Sequence, residues 1–253
     1  CIAVLVSGLL NLTLVFRACR LNGFSLTSVN FSKLNPNLGL SRELFIKSLP
    51  LSLASGVSQI NLVVGRQISS LFDGAIVWLI YADRLAQLPI ALIGVALNVV
   101  SLPKLSSLKD SGRLAEGNSY LNQSMQLSVI FSIPATLGLI YLNSEIIEFL
   151  FQRGNFLAHD TIQTSMALSI YSLSIIPISL QMLLLNFYFA EKKIKIPFYY
   201  SLVSVFLNVG FAYSLLGNFE FLAPPIAYAI TNWLVFVSLL YHTYKFGFYF
   251  NRT

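Results

Sequence analysis

The sequence is poor in charge. Only 10% of its 253 residues are Asp, Glu, Lys or Arg, against roughly 25% in soluble globular domains. Hydrophobic residues make up 56%, and the mean hydropathy is +0.73. A soluble globular protein is therefore excluded. Cysteine is scarce as well: Cys1 and Cys19 stand without a CxxC or any paired spacing, which excludes a disulfide framework. His159 and His242 each stand alone in polar connections. There is no P-loop, no zinc-ligand spacing and no nucleophile elbow, so catalysis on soluble ligands is excluded. A membrane enzyme would need acid, base or nucleophile at the membrane edge. Glu145, Glu148, His159 and Asp160 offer the residue types without a recognisable catalytic spacing.

A signal peptide is also missing, since no basic start and no small-residue cleavage site flank the apolar run 2–16. That run is too short for a complete span, and the first residue is Cys1 rather than Met. The expectation is a fragment of a longer membrane protein, cut at both ends. The net charge of +6 would suit nucleic acid, but the basic residues lie between apolar spans, which points to lipid.

What is present is a series of apolar runs. A spanning helix needs about 20 mostly apolar residues, and six runs qualify: residues 45–71, 76–102, 119–142, 161–190, 198–217 and 222–244. The predicted fold is all-α, a polytopic membrane helix bundle. Residues 1–17 read as a truncated helix, 18–44 as a basic linker and 245–253 as a truncated connection. Alternate connections hold Arg17, Arg20, Lys33, Arg42 and Lys47, then Lys104, Lys109 and Arg113, then Lys192, Lys193 and Lys195, then Lys245 and Arg252. The opposite connections hold Arg153 with the acidic residues Asp73, Glu145, Glu148, Asp160 and Glu220. The positive-inside rule makes the basic side cytoplasmic.

Arg66 and Arg84 remain, and both fall inside spans. Arg84 lies about nine residues from the outer end of its helix, roughly 13 Å at 1.5 Å per residue, which is far to snorkel. A charge at the bilayer centre costs at least about 2.5–3.5 kcal/mol. Helical steps from Arg84 give Gln87, Ala91, Gly94, Asn98 and Ser101, a polar or small stripe among Leu, Ile and Val. The preceding span repeats the pattern with Ser48, Ser52, Ser55, Gln59, Leu62, Arg66 and Ser69. Two such stripes predict a shared, water-accessible cavity, with close helix packing as the competing explanation of Ala91 and Gly94. Asp83 either neutralises Arg84, orients it or bonds a neighbouring helix, and adjacent helical residues point too far apart for an easy direct pair. Arg66 either lines the cavity or snorkels to the headgroups. Pro50, Pro89, Pro103, Pro134, Pro177 and the Pro224–Pro225 pair are expected to interrupt or bend helices. A guanidinium in such a cavity matches phosphate with two parallel hydrogen bonds, so the expected ligand is an anionic, phosphate-bearing molecule.

The stretch "YADRLAQLPIALIGVALNVVSLPKLS" (81–106) closely resembles the MurJ/MviN family of lipid II flippases. "FLFQRGNF" followed by Asp160, and "FYFAEKKIKIP" (187–197), are similar to the same family. The resemblance implies the second six-helix lobe, residues 45–244, of a two-lobe transporter in the multidrug and polysaccharide exporter superfamily. It implies movement of undecaprenyl-pyrophosphate-linked peptidoglycan precursor from the inner to the outer leaflet of the bacterial cytoplasmic membrane, by alternating access. It implies a cationic cavity in which Arg84, with its neighbour Asp83, serves the substrate; Gln87, Arg66 and Gln59 join the candidate set from the polar stripes alone, Arg66 standing where the family leads one to expect no charge. No cofactor is expected, and coupling would come from a monovalent cation or the membrane potential. Some members bind a cation between second-lobe helices; here Asn208, with Asn61 and Thr231 nearby, is the candidate, without an accompanying carboxylate. A buried Asn bonding a neighbouring helix is the preferred reading of Asn208. The partners implied are lipid II or a similar glycolipid, membrane lipids and a first lobe of the same chain. The alternative function is export of another polyprenyl-linked glycan.

Overall fold

The computed structural model describes residues 2–21, 61, 63–191, 193 and 195–245. The chain divides into two compact units, Cys1–Lys47 and Ser48–Thr253. The first contains helix α1 (Ile2–Leu21). Its side chains from Val6 onward are almost all exposed, and the Arg20 guanidinium sits 5.2 Å from the Phe16 ring centre. The linker expected over 18–44 lies outside the described residues from position 22 onward, as do Ser48, Ser52, Ser55, Gln59 and Leu62.

In the second unit, residues 63–69 are helical and turn at 70–74 into α2 (Ala75–Pro89). Gly74 makes that turn with φ of +82°, and a Cβ there would lie 2.7 Å from the Trp78 ring, so only glycine fits. α2 runs through a π-helical segment (Ile90–Val95) into α3 (Ala96–Asp110), forming one rod of 36 residues. Pro89 has no N–H to give the preceding turn. The chain answers by widening to a π turn immediately after it, a common way to absorb such a defect. The connection between the spans expected over 76–102 and 119–142 is shorter still: helix continues to Asp110 and restarts at Leu114, leaving three residues between. α4 (Leu114–Tyr141) follows, and Arg113 pairs with Glu116 in its first turn.

The outer connection contains a short helix, α5 (Asn143–Phe151), that the apolar runs did not signal. The single span expected over 161–190 is two helices, α6 (Ala158–Ser172) and α7 (Ile175–Ala190). Pro177 causes the break, because its missing N–H would have bonded the carbonyl of Leu173. The Trp233 indole N–H donates to that carbonyl instead, at 3.0 Å. A neighbouring helix thus satisfies the freed backbone group, as a membrane interior requires. α8 (Lys195–Phe219) and α9 (Ala223–Lys245) are joined by one tight turn, Glu220–Leu222. Pro224 and Pro225 break nothing: they occupy the first turn of α9, where backbone N–H groups have no helical partner anyway.

Among the described residues, four stretches are long and apolar enough to cross a membrane: Ala75–Asp110, Leu114–Tyr141, Ala158–Ala190 and Lys195–Lys245. The last folds back on itself, since Tyr200 early in α8 donates to the carbonyl of Ser238 late in α9. Among the described residues there is no strand, and the all-α membrane bundle read from the sequence holds. α2 packs on α6, and α4 and α3 pack on α7. Buried Ser128, Ser132 and Thr136 line one edge of α4, while Leu92, Val99, Ile130, Phe131 and Phe206 are exposed. Small hydroxyl residues between helices and large apolar ones outside are what lipid solvent selects, because helix association there depends on close packing. The Lys109 ammonium meets Glu191 at 2.8 Å and ties the end of α3 to the end of α7. At the opposite end, the Trp78 indole donates to Asp160 at 2.7 Å.

Candidate functional site

α2 is two-sided. Ala75, Trp78, Leu79, Ala82, Leu85 and Ala86 recur at helical spacing and are buried, with Ala167 and Leu168 of α6 in the same cluster. Ile76, Ile80, Asp83, Arg84 and Gln87 fall on the other side and line a cavity of about 500 Å³. Asn61, Gly65, Arg66 and Ser69 form another wall; Tyr171 of α6, Asn208 of α8, and Pro224 and Tyr228 of α9 complete it. The volume lies within the roughly 300–1,000 Å³ usual for small-ligand sites.

The charged groups follow a specific order. Asp83 and Arg84 make no direct pair. Gln87, one turn on, stands between them: its amide N–H donates to Asp83 Oδ2 at 2.5 Å, and its Oε1 accepts from Arg84 Nη1 at 3.3 Å. The side-chain amide therefore carries the orientation, and the second reading of Asp83, as an orienting group, acts through Gln87. Arg84 is exposed to the cavity while Asp83 is half-buried. Arg66 lines the same space rather than only the membrane edge. Two guanidinium groups thus face one carboxylate whose Oδ2 is already engaged, and the balance favours an anion.

The polar stripe below Gln87 behaves differently. Gly94 is buried against α7, and a Cβ on it would meet Ser179 Oγ at 3.1 Å and Met182 Sδ at 3.2 Å. The carbonyl of Asn98 accepts from Asn186 at 2.8 Å, and Ser101 is buried. That half of the stripe is a helix contact. Asn208 is buried and borders the cavity with Asn61, whose Oδ1 is buried without a partner. Thr231 is buried too but is not part of the lining. Contrary to the sequence expectation, a carboxylate accompanies the two amides, because Asp83 lines the same cavity. No group of three or more His, Cys, Asp or Glu side chains gathers among the described residues. Gln59 lies outside them.

Sequence reasoning missed Tyr171 and Tyr228, whose rings meet edge to face at 5.8 Å and form the wall facing α2. Their spans are apolar enough that a single phenol at helical spacing gave no signal.

A protein-family model, described as lipid II flippase MurJ, matches residues 1–252. The chain belongs to this family. It is 33% identical over 245 residues to a probable lipid II flippase MurJ of Rhizobium tropici, covering 97% of this chain and 45% of the relative. A probable lipid II flippase MurJ of Aquifex aeolicus is 32% identical, covering 94% and 46%. The solved structure of lipid II flippase MurJ in an inward closed conformation superposes with a TM-score of 0.74 at 27% identity, covering 87% of this chain and 47% of that one. The chain spans about half the length of the curated relatives it matches. As a MurJ family member with several apolar helices, it is a multi-pass membrane protein, and the family is one of transporters rather than enzymes.

Proposed function

We propose that this chain supplies one wall of the cavity in a lipid II flippase of the bacterial cytoplasmic membrane. The single observation that carries the reading is the convergence of Arg84 and Arg66 on one cavity, with Asp83 drawn aside onto Gln87. Lipid II presents a pyrophosphate between a long apolar tail and a bulky polar head. A guanidinium held off its neighbouring carboxylate can offer that pyrophosphate two charge-assisted hydrogen bonds. Arg66, on the facing helix, adds a second positive charge at the same anion. Tyr171 and Tyr228 close the rear with aromatic faces and hydroxyl groups. Transport by alternating access requires the cavity to open to one leaflet and then the other. The π turn after Pro89 gives the rod a place to bend just below Gln87. Asn208, Asn61 and Asp83 supply oxygen donors of the kind that suits a hard cation, and coupling to a monovalent cation or to the membrane potential belongs to this proposal.

The test uses the full-length gene in a bacterial strain depleted of its own flippase, with membrane levels matched. Wild type is expected to restore lipid II exposure on the outer leaflet and Arg84→Ala is not. Failure of an expressed wild type overturns the substrate. Restoration by Arg84→Ala overturns the anion-binding role.

A further inference from the structure

The cavity leaves the FQRGNF segment without a task, and the structure gives it a pocket of its own. Trp78 and Tyr81 on α2, with Phe151, Arg153, Phe156 and Asp160 from the α5–α6 connection, border a space of about 560 Å³. It lies at the end of the bundle opposite the Lys109–Glu191 pair. One side is aromatic. Tyr81 and Phe151 stack in parallel, 4.5 Å apart with 5° between planes, and Phe156 leans on both at 5.8 and 6.3 Å.

Hydrogen bonding decides which charged group of the pocket is free to meet a ligand. Both oxygens of Asp160 are engaged, Oδ1 by the Trp78 indole N–H and Oδ2 by the Leu157 backbone N–H, each at 2.7 Å. Arg153 is exposed at the lip and uses one N–H, from Nη2 to the carbonyl of Leu150 at 2.6 Å, of the five that a guanidinium carries. Gly154, with φ of +63° and nothing within 4 Å of a built Cβ, completes the turn there and leaves the entrance open. Asp160 keeps its negative charge but has both oxygens engaged by neutral donors, so the free hydrogen-bonding edge in the pocket is that of the Arg153 guanidinium, which suits an anionic group.

We propose that this pocket is a second binding subsite, for a pyranose ring that carries an adjacent phosphate. The face of a pyranose presents C–H groups with partial positive charge, which match the negative face of an aromatic ring. The phosphate would take the free edge of the Arg153 guanidinium. The proposal rests on the flippase reading for its ligand: the glycan end of the transported lipid would be held here after leaving Arg84. Tyr81 and Arg84 are three residues apart on one helix, an axial step of roughly 4.5 Å, so a headgroup could pass between the two sites without crossing a span.

The test is a titration of N-acetylglucosamine 1-phosphate onto the full-length protein in lipid nanodiscs, followed by saturation-transfer NMR. It is run in an Arg66→Ala/Arg84→Ala background, so that neither guanidinium of the cavity holds the probe. Saturable binding is expected, weakened at least tenfold by adding Arg153→Gln at its exposed position and similarly by Phe156→Ala. Inorganic phosphate and N-acetylglucosamine are each expected to compete at least tenfold more weakly than the sugar phosphate. Absence of saturable binding, or affinity unchanged by Arg153→Gln, overturns the subsite. Equal competition by inorganic phosphate overturns its sugar recognition. None of these outcomes bears on Arg84 in the strain assay, so the two proposals fail separately.

Discussion

Gln87 offers the most direct way to test the order of the cavity charges. In Gln87→Leu the amide is lost while the side chain keeps nearly its volume. The lost bond to Asp83 is short and charge-assisted, a class contributing about 1.5–3 kcal/mol; in a half-open cavity the lower end, about 1.5 kcal/mol, applies. The Arg84 contact at 3.3 Å lies beyond the usual range for N–H···O bonds, so it directs the guanidinium more than it stabilises it. With Gln87 gone, the Asp83 carboxylate has the adjacent Arg84 as its strongest remaining partner and competes with the anion for it. Anion affinity should fall by about tenfold, the equivalent of about 1.4 kcal/mol. Adding Asp83→Asn removes the competing carboxylate, so the double variant should recover part of the loss. That sign is the distinguishing one: independent residues would give additive defects. The assay is lipid II exposure at matched membrane levels, with thermal melts of the purified variants to confirm folding. A double variant as defective as the sum of the singles, or a silent Gln87→Leu, refutes the relay.

Two further substitutions probe the scaffold. Gly94→Ala brings a Cβ within 3.3 Å of the Ser179 Cα, a backbone atom that moves only if α7 does, whereas Ser179 Oγ and Met182 Sδ can rotate aside. Thermal unfolding in detergent should therefore show a small loss for Gly94→Ala and a larger one, about 1–3 kcal/mol, for Gly94→Leu; equal melting of wild type and Gly94→Leu contradicts the contact. Glu191 is half-buried, which opposes its charge, but the Lys109 and Lys193 ammonium groups beside it hold its carboxyl below the ordinary 4.5. A depressed folded value means the stabilisation is complete above the ordinary value and disappears as pH falls through the folded one. Glu191→Gln should thus melt lower than wild type near neutral pH and converge with it once the pH has fallen through the lowered folded value; a gap that stays constant with pH contradicts the pairing.

The membrane bundle was legible because lipid imposes a coarse rule. Long apolar runs must be helices, and α4, α8 and α9 end within a few residues of the predicted bounds, apart from the earlier start of α4 at Leu114. The breaks were less legible, because their outcome depends on distant partners. Pro177 was visible, but the indole that takes over the Leu173 carbonyl comes from Trp233, 60 residues on. Pro224 and Pro225 looked like interruptions, and their place in a first helical turn follows only from where the chain folds back at Glu220. Helical spacing placed Asp83, Arg84 and Gln87 close together, since i, i+3 and i+4 contacts are local. Tyr171, Asn208 and Tyr228 reach the same cavity from three other helices, and no spacing within one helix announces that meeting.

The fold also separates three tasks that the sequence interleaves. Between positions 74 and 87, α2 must bury a core stripe, line the cavity and wall the outer pocket. A helix of 3.6 residues per turn has just enough directions for all three: Ala82, Leu85 and Ala86 inward, Asp83, Arg84 and Gln87 to the cavity, Val77 and Tyr81 to the pocket. Trp78 serves both core and pocket, and its bond to Asp160 locks the α5–α6 connection against the helix. Rotating α2 by a single residue, about 100°, would move Arg84 out of the cavity and Tyr81 off Phe151 together. The close contact at Gly94 and the tight turn at Gly74, each at one end of the cavity-bearing stretch, are the features that hold this register. The same rod can then bend at the π turn below Gln87 without disturbing the order of the groups above it.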